Sequence, residues 1–135
     1  MASIDHHVLD RPSFDEPTKL LIVVSPYYKQ IAENLVAGAK TEIEAAGATW
    51  EMIEMPGALE IPTAIGISER MSSFDGYVAL GCVIRGETTH YETVCNDSSR
   101  AIQLLGLQGL CIGNGILTVE NTEQAEVRAD PAKQN

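Results

Sequence analysis

The sequence predicts an α/β domain with a central, parallel, four-stranded sheet and helices on both of its faces. Short apolar runs alternate along the chain with segments of helical spacing. The first run, Leu20–Val24 (LLIVV), is continuous and partly β-branched, as suits a strand covered on both faces. The length of 135 residues favours one domain. A chain of that size buries roughly two-thirds of its unfolded surface and needs no disulfide staples.

Each element has its own signal. After LLIVV, Ile31, Leu35, Ala39 and Ile43 recur at helical spacing beside Ala32, Val36 and Ala46, and Gly47 is placed to end that helix. Trp50–Met55 is the second strand, broken by Pro56-Gly57. Pro62 suits the first turn of a helix running to about Met71. Phe74-Asp75-Gly76 reads as a turn and Tyr77–Ile84 as the third strand. Val94, Ser98, Ala101, Ile102 and Leu105 mark one face of a third helix, which Gly106 can end. Leu110–Leu117 is the fourth strand, interrupted by Gly113 and Gly115. Asn121 and Gln124 have the spacing of a capping box for a helix starting near Thr122. Crossovers between the strands should be right-handed.

Residues 1–17 read as an arm, loose or docked on a partner, and 18–135 as the domain. The last helix has few apolar residues (Ala125, Val127, Ala129). A layered domain usually covers its sheet better, so either a C-terminal helix is missing or another subunit supplies the cover.

Composition narrows the function. Nine Lys and Arg against 19 Asp and Glu leave a net charge of −10. That disfavours a nucleic-acid partner, whose binding rests on cations facing phosphates. One small phosphate remains compatible, because it needs only a local positive site. No apolar run is long enough to span a bilayer, and MASIDHHVLDRPSFDEP has no apolar core for a signal peptide. Cysteines at 82, 95 and 111 form no CxxC. Cys82 and Cys111 lie in apolar runs and read as small buried hydrophobes, in a reducing, cytoplasmic setting. Adjacent His6 and His7 leave a metal role in the arm open.

In open α/β sheets, ligands bind beyond the carboxyl ends of the strands. That rule selects Ser25-Pro26-Tyr27-Tyr28, Pro56–Glu60, Arg85–His90, and Asn114 with the residues after it. In GETTHYETVCN, Gly86 lets backbone approach a ligand. The next amides lie near a helix N-terminus, which favours an anion. Thr88 and Thr89 add hydroxyls, and His90 can move protons near neutral pH. The plain alternative is that a threonine caps the helix and His90 packs. Glu60 could accept hydrogen bonds from ligand hydroxyls or merely complement a helix dipole. Tyr27 could stack on a flat heterocycle or be an ordinary surface tyrosine. Arg128 could clamp a phosphate or be a solvated helix residue. Walker A, GxGxxG and GxSxG patterns are absent. His90 and Cys95 lack a third residue to orient the histidine, and Cys82, His90 and Cys95 lack a recognised zinc spacing.

Three blocks, PGALEIP (56–62), GCVIRGETTHYETVCN (81–96) and GILTVENTEQAEVRA (115–129), resemble the lumazine synthase family, in order and with the expected gaps. The resemblance covers residues 19–135 and is specific as a combination. It implies a flavodoxin-like three-layer α/β/α sandwich. It also implies the condensation of 5-amino-6-ribitylamino-uracil with 3,4-dihydroxy-2-butanone 4-phosphate to a lumazine, phosphate and water, without metal or organic cofactor. Carried over by position, His90 is the proton-transfer residue. Glu87, Thr88 and Arg128 hold the phosphate, and Ala58, Leu59 and Glu60 the ribityl chain. Cys82, Val83 and Ile84 contact the pyrimidine, Tyr27 stacks on the heterocycle, and Asn114 reaches a neighbouring subunit's site. The resemblance further implies homopentamers with sites between subunits, in some members twelve pentamers forming a capsid.

The chain departs from the family in three places. Pro26-Tyr27-Tyr28 stands where Arg-Phe-Asn is common, and Asn114 where some members have phenylalanine. The family pattern continues with a lysine and a final helix past Asn135, so a truncated chain is expected. Two rival readings remain: a non-catalytic flavin- or lumazine-binding module on the same fold, and a structural shell subunit.

Overall fold

The alternation resolves, in a computed structural model describing residues 8–133, into four strands and four α-helices. His6 and His7 lie outside the described residues. The order is β1 (Lys19–Val24), α1 (Lys29–Ala45), β2 (Thr49–Glu54), a 3₁₀ turn (Ala58–Glu60), α2 (Ile61–Met71), β3 (Gly76–Ile84), α3 (His90–Leu107), β4 (Ile112–Val119) and α4 (Thr122–Ala129). The strands form one sheet in the order β2-β1-β3-β4, and every pairing is parallel.

Side-chain alternation along β1 sends its residues to two separate cores. Leu21 and Val23 pack with Ile61, Ala64 and Ile65 of α2 and Ile102 of α3. Ile22 and Val24 pack with Ala32 and Ile43 of α1. Ala125 and Ala129 of α4 join Ile31 of α1 and Val119 of β4 on that same side. The result is the expected three-layer sandwich. Burial of Ile22, Val23, Ile61 and Ile65 is complete, at 0% exposure each. The continuous LLIVV run is therefore the central strand, with both faces covered.

The helix ends follow their signals. Gly47 sits just past α1 with φ +86°, a conformation glycine adopts without a Cβ penalty. Pro62 lies in the first turn of α2. Asn121 caps α4 by accepting from the Gln124 N–H at 2.9 Å. The Gln124 side chain reaches back to the Glu120 N–H at 2.8 Å, so the box closes one residue earlier than the usual pattern.

Four local expectations are corrected. α3 runs through Gly106 to Leu107, and the left-handed residue that ends the turn is Gly109, φ +97°. β4 is not interrupted by Gly113 and Gly115: it continues to Val119, because pairing with β3 extends to Ile84. Cys111 is exposed, since it precedes the edge strand at the surface end of the α3–β4 connection. Val127 is 43% exposed, because Ala125 and Ala129 form the buried stripe of α4.

Residues 8–16 are exposed and carry no helix or strand. They touch the end of α1. Arg11 binds Glu42 through two hydrogen bonds of 2.9 and 3.0 Å, and the Phe14 N–H donates to Ala46 O at 3.0 Å. The guanidinium lowers the pKa of Glu42, which raises that of Arg11 in return.

Candidate active site

The carboxyl ends of β1, β2 and β3 converge because backbone bonding continues past the strands. The Ser25 N–H donates to Leu80 O at 2.9 Å, and the Met55 N–H to Val24 O at 2.8 Å. Ser25 is buried, and its hydroxyl donates to Pro56 O at 3.3 Å, drawing the loop after β2 against the tip of β1. The chain then leaves the sheet at three adjacent places.

After β1, Tyr27 projects with 74% of its surface exposed. Its ring meets Tyr28 edge-on, with centroids 5.0 Å apart. Tyr28 precedes the first residue of α1 and packs, half-buried, near Ile31, Cys82 and Ile84. Burial pushes its phenol pKa up. After β2, the 3₁₀ turn Ala58–Glu60 runs straight into α2, placing the Glu60 carboxylate at that helix N-terminus. The carboxylate lies over Gly57, 3.6 Å from where a Cβ there would stand.

After β3, half-buried Cys82, Val83 and Ile84 lead to the loop Arg85–Thr89. Burial pushes the Cys82 thiol up to about 11, so it is a neutral thiol at physiological pH and no nucleophile. An added Cβ at Gly86 would meet nothing within 4 Å, so this stretch of backbone is open to a ligand. The Thr88 Oγ1 accepts from the His90 N–H at 3.3 Å, and Thr89 supplies no side-chain cap. Thr88 thus secures the helix start while its own O–H stays available to donate. His90, the first residue of α3, is exposed rather than packed.

These tips enclose a cleft of 410 Å³ lined by Tyr27, Ala58, Leu59, Glu60, Cys82, Val83, Ile84, Thr88 and His90, among others. The walls are largely apolar, with a few convergent polar groups, the usual make-up of a small-molecule site. Two larger grooves, of 610 Å³ beside α1 and 500 Å³ between α2 and α3, contain neither His90 nor Glu60. Among the described residues, no group of three or more His, Cys, Asp or Glu is arranged to hold a metal ion.

Three candidate residues lie outside the cleft lining: Glu87, Asn114 and Arg128. Glu87 is an exposed member of the same loop. Asn114 is not at a strand tip. It pairs with Ala79 near the start of β4, and its side chain accepts from the Ile116 N–H at 3.0 Å. The tip of β4, where Val119 pairs with Ile84, lies ~16 Å further on at strand rise. The loop delivered there is Glu120-Asn121, not Asn114. Arg128 is in the last turn of α4 and donates to Gln124 O at 3.1 Å. Running back from the β4 tip at helical rise, α4 carries Arg128 roughly 10 Å away from it.

Ser25, Tyr28, Tyr91 and Val94 also line the cleft, although residue type did not single them out. For Ser25 and Tyr28 the signal was position alone, directly after a buried strand. Tyr91 follows His90 and shares its helix turn.

A family model described as 6,7-dimethyl-8-ribityllumazine synthase matches residues 17–135. The chain is 58% identical over 135 residues to a 6,7-dimethyl-8-ribityllumazine synthase of Jannaschia sp. (strain CCS1), covering 100% of this chain and 76% of that protein. It is 52% identical over 117 residues to the protein of the same name from Novosphingobium aromaticivorans, covering 87% and 84%. It is 53% identical over 117 residues to that of Zymomonas mobilis subsp. mobilis, again covering 87% and 84%.

Proposed function

The chain belongs to the 6,7-dimethyl-8-ribityllumazine synthase family, and from that premise we propose how its own cleft carries out the reaction. The protein is a transferase of riboflavin biosynthesis. It condenses 5-amino-6-ribitylamino-uracil with 3,4-dihydroxy-2-butanone 4-phosphate to 6,7-dimethyl-8-ribityllumazine. No observation favours the non-catalytic binding module. The observation that carries the assignment of roles is that three separate strand tips bring an aromatic ring, a carboxylate, a hydroxyl and a histidine into one 410 Å³ cleft.

Tyr27 stacks on the uracil ring, and Ala58, Leu59 and Glu60 hold the ribityl chain, the carboxylate accepting from its hydroxyls. The strand end Cys82–Ile84 presents backbone to the pyrimidine. The phosphate of the second substrate sits over the Gly86–Thr88 loop at the start of α3, where amides, the Thr88 hydroxyl and the helix dipole favour an anion. In that arrangement the uracil amine attacks the ketone carbon and water leaves to give a Schiff base. Phosphate is then eliminated, and the ribitylamino nitrogen closes the ring on the carbonyl so formed, with loss of a second water. No protein nucleophile is required, since the substrate amine attacks. His90 moves the protons, and positioning of the two reactants supplies most of the acceleration.

Arg128 and Asn114 complete the site only if more than one chain forms it, whereas Glu87 belongs to the phosphate loop itself. We assign Arg128 and Glu87 to the phosphate and Asn114 to contact across a subunit boundary, in a homopentamer that is the minimal unit and can build a larger shell. Residues 1–17 act as an arm on the domain formed by 18–135, and the protein works in the cytoplasm. No helix among the described residues is long and apolar enough to cross a membrane.

The test is direct. Mixing both substrates with the protein and following lumazine absorbance should give turnover well above the spontaneous condensation; a rate equal to the spontaneous one refutes the reading. Light scattering on the same sample should return a multiple of five chains, and a monomeric active species would remove the shared site.

A further inference from the structure

The first residue after β3 is Arg85, and its backbone still belongs to the sheet, because its N–H donates to Val119 O at 3.0 Å. Its side chain joins three elements. Nε donates to Glu120 Oε2 at 2.6 Å, just beyond β4. NH1 donates to Glu92 Oε1 at 3.3 Å, in the first turn of α3. The guanidinium carbon lies 4.4 Å from the centroid of the Tyr91 ring. Arg85 does not line the cleft, whereas Tyr91 and His90 do.

The start of α3 has little else to hold it. Thr89 gives no side-chain cap, His90, Glu92 and Thr93 are exposed, and the first buried residue of the helix is Val94. The Thr88–His90 bond, at 3.3 Å, is local and long for a hydroxyl acceptor. Arg85 grips the two residues after His90 and ties them to the exit of β4. Glu120, its strongest partner, is itself held at the start of α4 by Gln124. These contacts anchor the first turn of α3, the turn that begins with His90. Both acidic partners also occupy the guanidinium, which leaves it poorly placed to serve as a free cation for a phosphate.

We propose that Arg85, together with Glu120 and Glu92, is a positioning residue for the reaction: the triad sets the placement of His90 and the Gly86–Thr88 loop without touching substrate. This rests on the proposed roles of the cleft residues. The pairs are exposed, with side-chain exposures of 42% for Arg85, 54% for Glu92 and 57% for Glu120. They therefore add little to global stability. Their effect falls on geometry, where a small misplacement of a reacting group costs far more rate than stability.

The experiment compares Arg85→Gln, Arg85→Lys, Glu120→Gln and the double variant Arg85→Gln/Glu120→Gln with the full chain. It measures kcat, both KM values, the melting temperature and amide hydrogen exchange by peptide. Arg85→Gln should lower kcat by about 10-fold or more, with the KM for the phosphate substrate changed by less than about 3-fold and melting nearly unchanged. Arg85→Lys should recover part of kcat, and the double variant should be no slower than Arg85→Gln, since the Glu120 change removes a contact that Arg85→Gln has already broken. Exchange should rise in residues 86–93 of Arg85→Gln and Glu120→Gln and stay unchanged in β1 and β3. A selective rise in KM for the phosphate substrate at constant kcat would overturn the inference, making Arg85 a phosphate ligand. So would wild-type kcat and wild-type exchange in Glu120→Gln, which removes the partner while leaving the arginine. If the unmodified chain itself forms no lumazine, the reading of the reaction fails; the exchange measurement still judges the triad independently.

Discussion

Replacing His90 by alanine separates proton transfer from everything else the cleft does. His90 is exposed at the first position of α3, and among the described residues its ring takes part in no hydrogen bond or ion pair. The Thr88 bond to its backbone N–H survives the change. Alanine is also the better helix former. Stability should therefore move by no more than ~0.5 kcal/mol, the range of surface substitutions away from special features. A positioned proton-transfer group is worth roughly 10²–10⁴-fold. The cleft is open and the ring is wet, so water can partly replace it, and the loss should lie at or below the low end. We expect kcat to fall by about 10- to 100-fold, or ~1.4 to 2.7 kcal/mol of transition-state stabilisation. Both KM values should change little, because positioning by Tyr27, Glu60 and the loop amides remains. Lumazine absorbance under saturating substrates, alongside thermal melting, reads both quantities. His90→Gln keeps a hydrogen-bonding side chain that does not titrate, and should be as slow as His90→Ala. A kcat within about 2-fold of the parent in both variants would refute proton transfer by this residue. A melting temperature that dropped with kcat would assign His90 to the fold instead.

Arg128→Ala should raise the KM of the phosphate substrate by about 10-fold, as expected for loss of one charge-assisted contact, and leave that of the uracil nearly unchanged; equal losses for both would remove Arg128 from the phosphate site. Ile65→Ala empties a fully buried position between β1, α2 and β3. It should cost roughly 2–5 kcal/mol in denaturant unfolding, and a loss below about 1 kcal/mol would contradict the packing described for that face. The Cys82 thiol, raised by burial to about 11, makes folding less stable in alkali. The unfolded thiol loses its proton first, so this contribution is fully present below about pH 9 and is lost as the pH climbs to about 11. Tyr28, Tyr91 and Cys95, all raised mainly by burial, act in the same direction. Cys82→Ser should flatten the decline of stability with pH in that window; an identical decline in the variant would exclude Cys82 as a source. Iodoacetamide near pH 8 should modify exposed Cys111 well before Cys82, and the reverse order would contradict that burial.

Much of the fold is legible in the sequence. LLIVV is apolar at every position, and only the middle of a covered sheet satisfies such a run. Spacing of 3.6 residues placed α1 and α3, and Pro62, Gly47 and Asn121 marked helix ends through local chemistry. The candidate cleft was legible in part, because in a parallel sheet every carboxyl end faces the same edge, although Glu87, Asn114 and Arg128 fall outside its lining. Errors fell where non-local pairing decides. β4 reads from the sequence as interrupted at Gly113 and Gly115 and ending at Leu117, yet unbroken pairing with β3 carries it from Ile112 to Val119. With no break at those glycines, the fourth loop is Glu120-Asn121 rather than Asn114.

The sequence by itself determined the kinds of element, their order and the family, since periodicity, caps and motif spacing are properties of neighbouring residues. Only the tertiary structure decided strand order and register, that Tyr28 and Tyr91 join the cleft, and that Arg128 and Asn114 stand away from it. It alone brought Arg85 to Glu120, 35 positions along the chain. Those outcomes depend on hydrogen bonds and packing between distant segments, whose partners no local pattern names.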